Sequence, residues 1–168
     1  MKKEHSPMRR HDRRLSDEAT RDLLRQGTWG VLSLAGEQAY GVPVNYVLDD
    51  TGGAQWPDIF FHCALEGKKL EYIRKNPSVC LCVVPRADVL REEFSTEYAS
   101  VMVMARAEFV RDEQELLRIL RLFGRHFTPF SLEEIDAYIA KYAARTCLVR
   151  LCPLEVSGKA RPAPVRDA

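Results

Sequence analysis

The sequence predicts a mainly β protein with peripheral helices, six antiparallel strands closing into a small barrel. Three observations carry this. Six short apolar runs read as strands, one helical pattern follows the third, and two more precede the last. Most strand neighbours are joined by turns or loops, which favours antiparallel pairing. A chain of 168 residues suits one domain with a sizeable core.

Residues 1–14 form a basic N-terminal arm, with Lys2, Lys3, Arg9, Arg10, Arg13 and Arg14 against Glu4 and Asp12. It reads either as a solvated arm or as one that docks on an acidic surface or anionic ligand. The single domain spans 15–159. It opens at Ser16, an N-cap with Asp17 and Glu18 in the favourable first turn, and this helix stops at Gly27. Trp29–Leu34 is the first strand. Tyr40–Leu48 is the second, with Pro43 marking an edge or a bulge. Asn45 has low strand propensity. It either pairs with something that is not protein or is satisfied by a neighbouring loop. Asp49 to Gly53 turns the chain into the third strand, Ile59–Cys63.

Next comes the stretch Ile59 to Pro77. It ends a strand at His62, turns through Gly67 and enters a helix with Leu70 and Ile73 on one face. Lys68 and Lys69 sit in its first turn, the end that already carries partial positive charge. Free N–H groups and two ammonium groups there suit a phosphate; two lysines pointing into water are the other reading. The residues alone leave both open.

Ser78–Val84 is the fourth strand and ends at Pro85. Residues 86–97 read as a loop with Phe94 as an anchor. Tyr98–Val110 is a long fifth strand carrying Ala99, Ser100, Ala105 and Ala107, small residues that let a backbone or ligand approach. Asp112 with Glu115 and Ser131 with Glu134 start two helices as capping boxes. Thr146–Cys152 is the sixth strand, and 160–168 is a mobile tail.

The totals exclude several classes. A net charge of +1 leaves no global footprint for nucleic acid or an anionic membrane. No apolar run approaches the roughly 20 residues that span a bilayer. The charged N-terminus lacks a signal-peptide core, so the expected location is cytoplasmic. Five cysteines form no CxxC pair and read as reduced thiols, and no metal site is expected. GxGxxG, GxxxxGK[ST], HExxH and GxSxG are absent. His126, in an interhelical loop, reads as a surface histidine. What remains suits a flat, phosphorylated cofactor. Lys68 and Lys69 would take its phosphate, Asn45 and Tyr46 would meet its ring, and His62 would lie between them.

Five segments occur in a familiar order: Met8 to Arg13, Gly41 to Tyr46, Phe61 to Lys69, Phe94 to Val101, and Ser157 to Lys159. Together they resemble the flavin-binding split-barrel proteins related to pyridoxamine 5′-phosphate oxidase, nearest to the nitroimidazole-resistance branch. The resemblance implies a split β-barrel homodimer with FMN at the subunit interface. It implies that Lys68, Lys69 and Ser100 hold the phosphate, that Val44, Asn45 and Tyr46 line the isoalloxazine ring, and that His62 lies near flavin and substrate. Cys63 and Ala105 stand where such proteins commonly have Gly, Ser or Thr, and Gly. The pyridoxamine-phosphate-binding residues of the true oxidase have no counterparts here. The expected activity is an FMN-dependent oxidoreductase acting on a small molecule such as a nitroaromatic, with His62 as proton donor or as a positioning residue. The alternative is a non-catalytic flavin or haem binder for storage or sensing. A deazaflavin ranks last, since only the N-terminal arginines could serve its acidic tail.

Overall fold

The computed structural model describes residues 8–161. After a 3₁₀ turn at His11–Arg13 the chain forms α1 (Asp17–Gln26), β1 (Trp29–Leu34), β2 (Tyr40–Asn45), β3 (Val47–Asp49) and β4 (Asp58–Ala64). It continues through α2 (Lys68–Lys75), β5 (Ser78–Leu90), β6 (Ser95–Phe109), α3 (Glu113–Phe127), α4 (Leu132–Tyr142) and β7 (Thr146–Arg161). The strands form one antiparallel sheet in the order β2-β1-β5-β6-β7-β4-β3. Its two edge strands, β2 and β3, are consecutive in the chain. The sheet therefore curls until its edges meet at Tyr46, which gives the expected barrel with helices around it.

The described residues form seven strands, one more than expected, because the Tyr40–Leu48 segment breaks at Tyr46. That side chain turns into the core, only 2% exposed, and its hydroxyl donates to Leu24 O at 2.6 Å. The carbonyl of Leu24 lies in the last turn of α1, where helical partners run out. The tyrosine thus caps the helix and interrupts the strand with one contact.

Two further boundaries move. The run expected to stop at Pro85 continues to Leu90, because a register shift between Val83 and Arg86 takes Val84 and Pro85 out of the ladder. A proline has no N–H to give, and a bulge removes the need for one. The expected loop 86–97 is thus the end of a long β5–β6 hairpin. Phe94 anchors nothing: it sits fully exposed at the tip with φ 46°. β7 likewise runs past Cys152, with a second register shift opposite Met104 and Ala105 that accommodates Pro153. Ala160 and Arg161 belong to this strand, whereas 162–168 of the expected tail and 1–7 of the expected arm lie outside the described residues.

The barrel interior holds Leu32, Phe61, Leu81, Val103, Val149 and Leu151, closed by Leu24 of α1 and by Leu70 and Ile73 of α2. Each such side chain contributes roughly 1.5–3 kcal/mol when fully buried. The alternation of buried and exposed residues along β1 and β6 follows from the period of two in a strand. A second cluster, Val47, Phe60, Ile119, Phe123 and Leu148, fastens α3 to the opposite side of β3, β4 and β7. The N-caps sit at Ser16, Asp112 and Ser131, as expected, and the last is a full capping box with Glu134. Close approach of α1 to β7 depends on Gly158, where an added Cβ would overlap the buried Thr20 side chain. The arm residues join here too: Arg14 bridges to Lys159, and Leu15 N–H donates to Gly158 O at 3.0 Å.

Candidate functional site

The place where the sheet edges meet defines the site. β3 and β4 pair with Val47 opposite Phe60. Carrying that register back by two residues sets Asn45 opposite His62, and both open onto one pocket of about 620 Å³. From there the two chains run on without pairing. β2 leads back to Tyr40, and the segment after β4 leads forward to Lys68. They come together again where the Lys68 ammonium lies 4.8 Å from the Tyr40 ring centroid. The gap between these unpaired edges, here called the groove, thus has Asn45 and His62 at one end and Lys68 at the other, with five strand residues, roughly 16 Å of extended chain, from Asn45 to Tyr40.

The lysine end is built as the turn predicts. Gly67 holds the N-cap position of α2 at φ 138°, a conformation that favours glycine, and no side chain caps the helix. Its first N–H groups therefore point outward. Lys68 is held over the rings of Tyr40 and Tyr72, the second at 5.7 Å. Among the described residues neither Lys68 nor Lys69 has an ion-pair partner. Two uncompensated cations at an uncapped helix start are the chemistry that suits an anion. Beneath them Cys63 of β4 faces Cys147 of β7; burial pushes the Cys63 thiol up to about 11, with Lys69 pulling the other way.

The other end is apolar. The His62 ring meets Phe123 edge-on at 4.6 Å between centroids. Loss of water around it lowers its pKa, which favours the neutral imidazole. Asn45 donates through Nδ2 to Thr28 O at 3.0 Å, the neighbouring-loop partner that one reading of the sequence allowed. Its Oδ1 stays available.

The remaining candidates do not all join. Val44 is half-buried on the core side of β2, so only its backbone borders the groove. Tyr46 has its ring in the core and its hydroxyl on Leu24, so it braces the groove from beneath and offers no face to a ligand. Ser100 lies on β6 opposite Lys159. His62 is opposite Leu148 on the strand that also holds Lys159, eleven positions further along it. Ser100 is not among the residues that line the pocket with Asn45 and His62.

The residues that sequence reasoning missed are the pocket walls. Phe127, Phe130, Tyr138 and Tyr142, from α3, α4 and their connection, line it with Phe123 and Ile135. The signal was the aromatic density of Phe123 to Phe130, which periodicity assigned to helix core and loop. Ser100 instead shares the outer sheet face with Met102 and Met104 of β6, and Trp29 of β1 lies on the same face. Trp29 is 53% exposed, Met102 41% and Met104 38%, a run of apolar side chains that no other described residue covers. Tyr98 continues it, taking a hydrogen bond from Arg13 at 3.3 Å beside Lys159. Among the described residues no three His, Cys, Asp or Glu side chains are grouped to hold a metal ion, and no helix is long and apolar enough to cross a membrane.

Comparison with known proteins yields no match among curated sequences. Solved structures share the fold. A conserved hypothetical protein from Mycobacterium tuberculosis aligns at TM-score 0.74 with 16% identity, over 96% of this chain and 98% of its own. A flavocytochrome from Azotobacter vinelandii aligns at 0.69 with 19% identity, over 96% and 75%. A putative 5-nitroimidazole antibiotic resistance protein from Bacteroides thetaiotaomicron aligns at 0.65 with 18% identity, over 87% and 85%. The family model described as pyridoxamine 5′-phosphate oxidase matches residues 16–160, and the chain belongs to that family.

Proposed function

We propose that the protein is an FMN-dependent oxidoreductase acting on a small molecule of the nitroaromatic kind. The observation that carries this is the groove with an uncompensated cationic end at Lys68 and Lys69 and an apolar end at Asn45 and His62. Such a pair of ends fits a molecule with a phosphate at one end and a flat ring at the other. Lys68, Lys69 and the first N–H groups of α2 would hold the phosphate. The backbone of Val44 and Asn45 would border the ring. The flavin, when bound, supplies the electron transfer, and the protein supplies binding, orientation and protons.

The lowered pKa of His62 favours the neutral imidazole, which keeps one N–H to donate and suits a proton donor set against the Phe123 ring. A homodimer packed through the outer sheet face would cover Trp29, Met102 and Met104. It is also the arrangement in which Ser100 of a second copy could approach the groove. The kinship with a flavocytochrome and a putative nitroimidazole-resistance protein supports the same reading by fold.

The test begins with the purified protein. Binding of FMN with quenching of its fluorescence, reduction by NADH or NADPH, and reoxidation by a nitroimidazole are the expected results. Replacing His62 with Ala should lower turnover far more than FMN affinity. A protein that takes up no FMN, or shows a Soret band instead, sinks the flavin assignment. Bound flavin that no nicotinamide reduces sinks the enzymatic one.

A further inference from the structure

We propose that the pocket between α3, α4 and the His62 end of β4 selects uncharged, flat aromatic molecules and rejects phosphorylated ones. The inference deepens the function proposed above, and rests on it in taking Asn45 and His62 as the point where substrate and cofactor meet. At about 620 Å³ the pocket falls within the usual range for a drug-sized ligand.

Its walls decide the class. Phe123 and Phe127 stack at 5.9 Å between centroids, with planes 20° apart. Tyr138 leans on Tyr142 at 4.5 Å between centroids. Two ring pairs lining one pocket favour a flat π-face. No aspartate, glutamate, lysine or arginine lines it. Four lining residues other than the tyrosines are polar, and most of that polarity is already used. Thr128 Oγ1 donates to Gly124 O at 2.8 Å, and Thr146 Oγ1 donates to Tyr142 O at 3.0 Å. Asn45 Nδ2 is held by Thr28 O. Asn45 Oδ1 and the His62 imidazole remain, enough to orient one polar substituent. A phosphate brought here would give up part of its water and meet no cation in the lining, which is unfavourable. Lys141 and Arg145 lie against the Tyr142 ring at 5.3 and 5.2 Å but do not line the pocket. The pocket thus differs in kind from the Lys68 end of the groove: one is made for an anion, the other against it.

The experiment uses the full chain, with and without added FMN. N-phenyl-1-naphthylamine, a neutral probe whose fluorescence rises in apolar surroundings, is titrated in and then displaced by a matched pair, 1-naphthol and 1-naphthyl phosphate. The expected result is saturable binding in both preparations, with the phosphate at least tenfold weaker than the naphthol. Tyr138 is largely exposed, so its replacement spares the core. Tyr138→Ala should weaken probe binding at least fivefold, and Tyr138→Lys should narrow the naphthol-to-phosphate gap at least fivefold. Equal displacement by both compounds, no saturable binding, or an unaffected Tyr138→Ala variant overturns the proposal. FMN binding without probe binding fails this inference alone. Probe binding without FMN binding supports it and fails the flavin reading.

Discussion

The Tyr46 hydroxyl offers a sharp test of the site's construction, because sequence and structure give it different work. As a ring-lining residue Tyr46 would matter to cofactor affinity. As observed, it is buried and donates at 2.6 Å to a carbonyl at the end of α1. Burial also raises its pKa far above the ordinary tyrosine value, so it remains a donor throughout the usable pH range. Tyr46→Phe keeps the ring and its packing and deletes only the O–H. The loss has one consequence, a buried Leu24 carbonyl without its partner, and such a group costs about 1–3 kcal/mol. For a domain of this size each kcal/mol moves Tm by roughly 2–4 °C. The expected drop is therefore about 2–12 °C by differential scanning calorimetry, with FMN affinity changed less than twofold. A Tm within 1 °C of the parent would refute the capping argument. A tenfold loss of flavin affinity without a Tm change would restore the ring-lining role.

Three other outcomes follow. Lys68→Met and Lys69→Met each remove a charge-assisted hydrogen bond worth about 1.5–3 kcal/mol, so FMN affinity measured by fluorescence quenching should fall roughly 10- to 100-fold for each; riboflavin, without the phosphate, should hardly respond. Because His62 has a lowered pKa in the fold, the unfolded chain takes up a proton near pH 6.5 that the folded chain refuses. Stability should therefore decline as pH drops from about 7 toward the folded value, and urea midpoints of His62→Gln should show less of that decline. Gly158→Ala forces a Cβ into Thr20 and should cost about 1–3 kcal/mol, partly restored by Thr20→Ala, which removes the hydroxyl oxygen that the new Cβ would meet first; additive effects in the double-mutant cycle would contradict that contact.

Much of the fold was legible because local chemistry determines it. Ser16 and Ser131 cap helices wherever the following N–H groups are free, and alternation along Trp29–Leu34 has only one buried face to choose. The break at Tyr46 was not legible, since nothing in the run from Tyr40 to Leu48 shows that a helix end 22 residues earlier needs a donor. The continuation past Pro85 was hidden for a related reason: proline ends a regular ladder, and only the partner strand reveals a bulge. At the site, Lys68 and Lys69 could be read from their misfit with the helix dipole. The pocket walls could not. Phe127, Phe130, Tyr138 and Tyr142 converge through the packing of two helices on each other, and a one-dimensional pattern cannot distinguish an aromatic that fills a core from one that lines a cavity.

β7 is paired on both sides, with β6 along its length and with β4 over Thr146–Leu151, and through Gly158 it also seats α1. During synthesis the strands up to β6 leave the ribosome well before residues 146–161 do. Until those residues arrive, β4 and β6 each present an unpaired edge, and the apolar barrel interior stands open between them. Such edges are templates for pairing with other chains. The growing polypeptide therefore passes through a stage open to pairing with other chains, and slowing translation before codon 146 should lower the soluble yield without altering any contact of the finished fold.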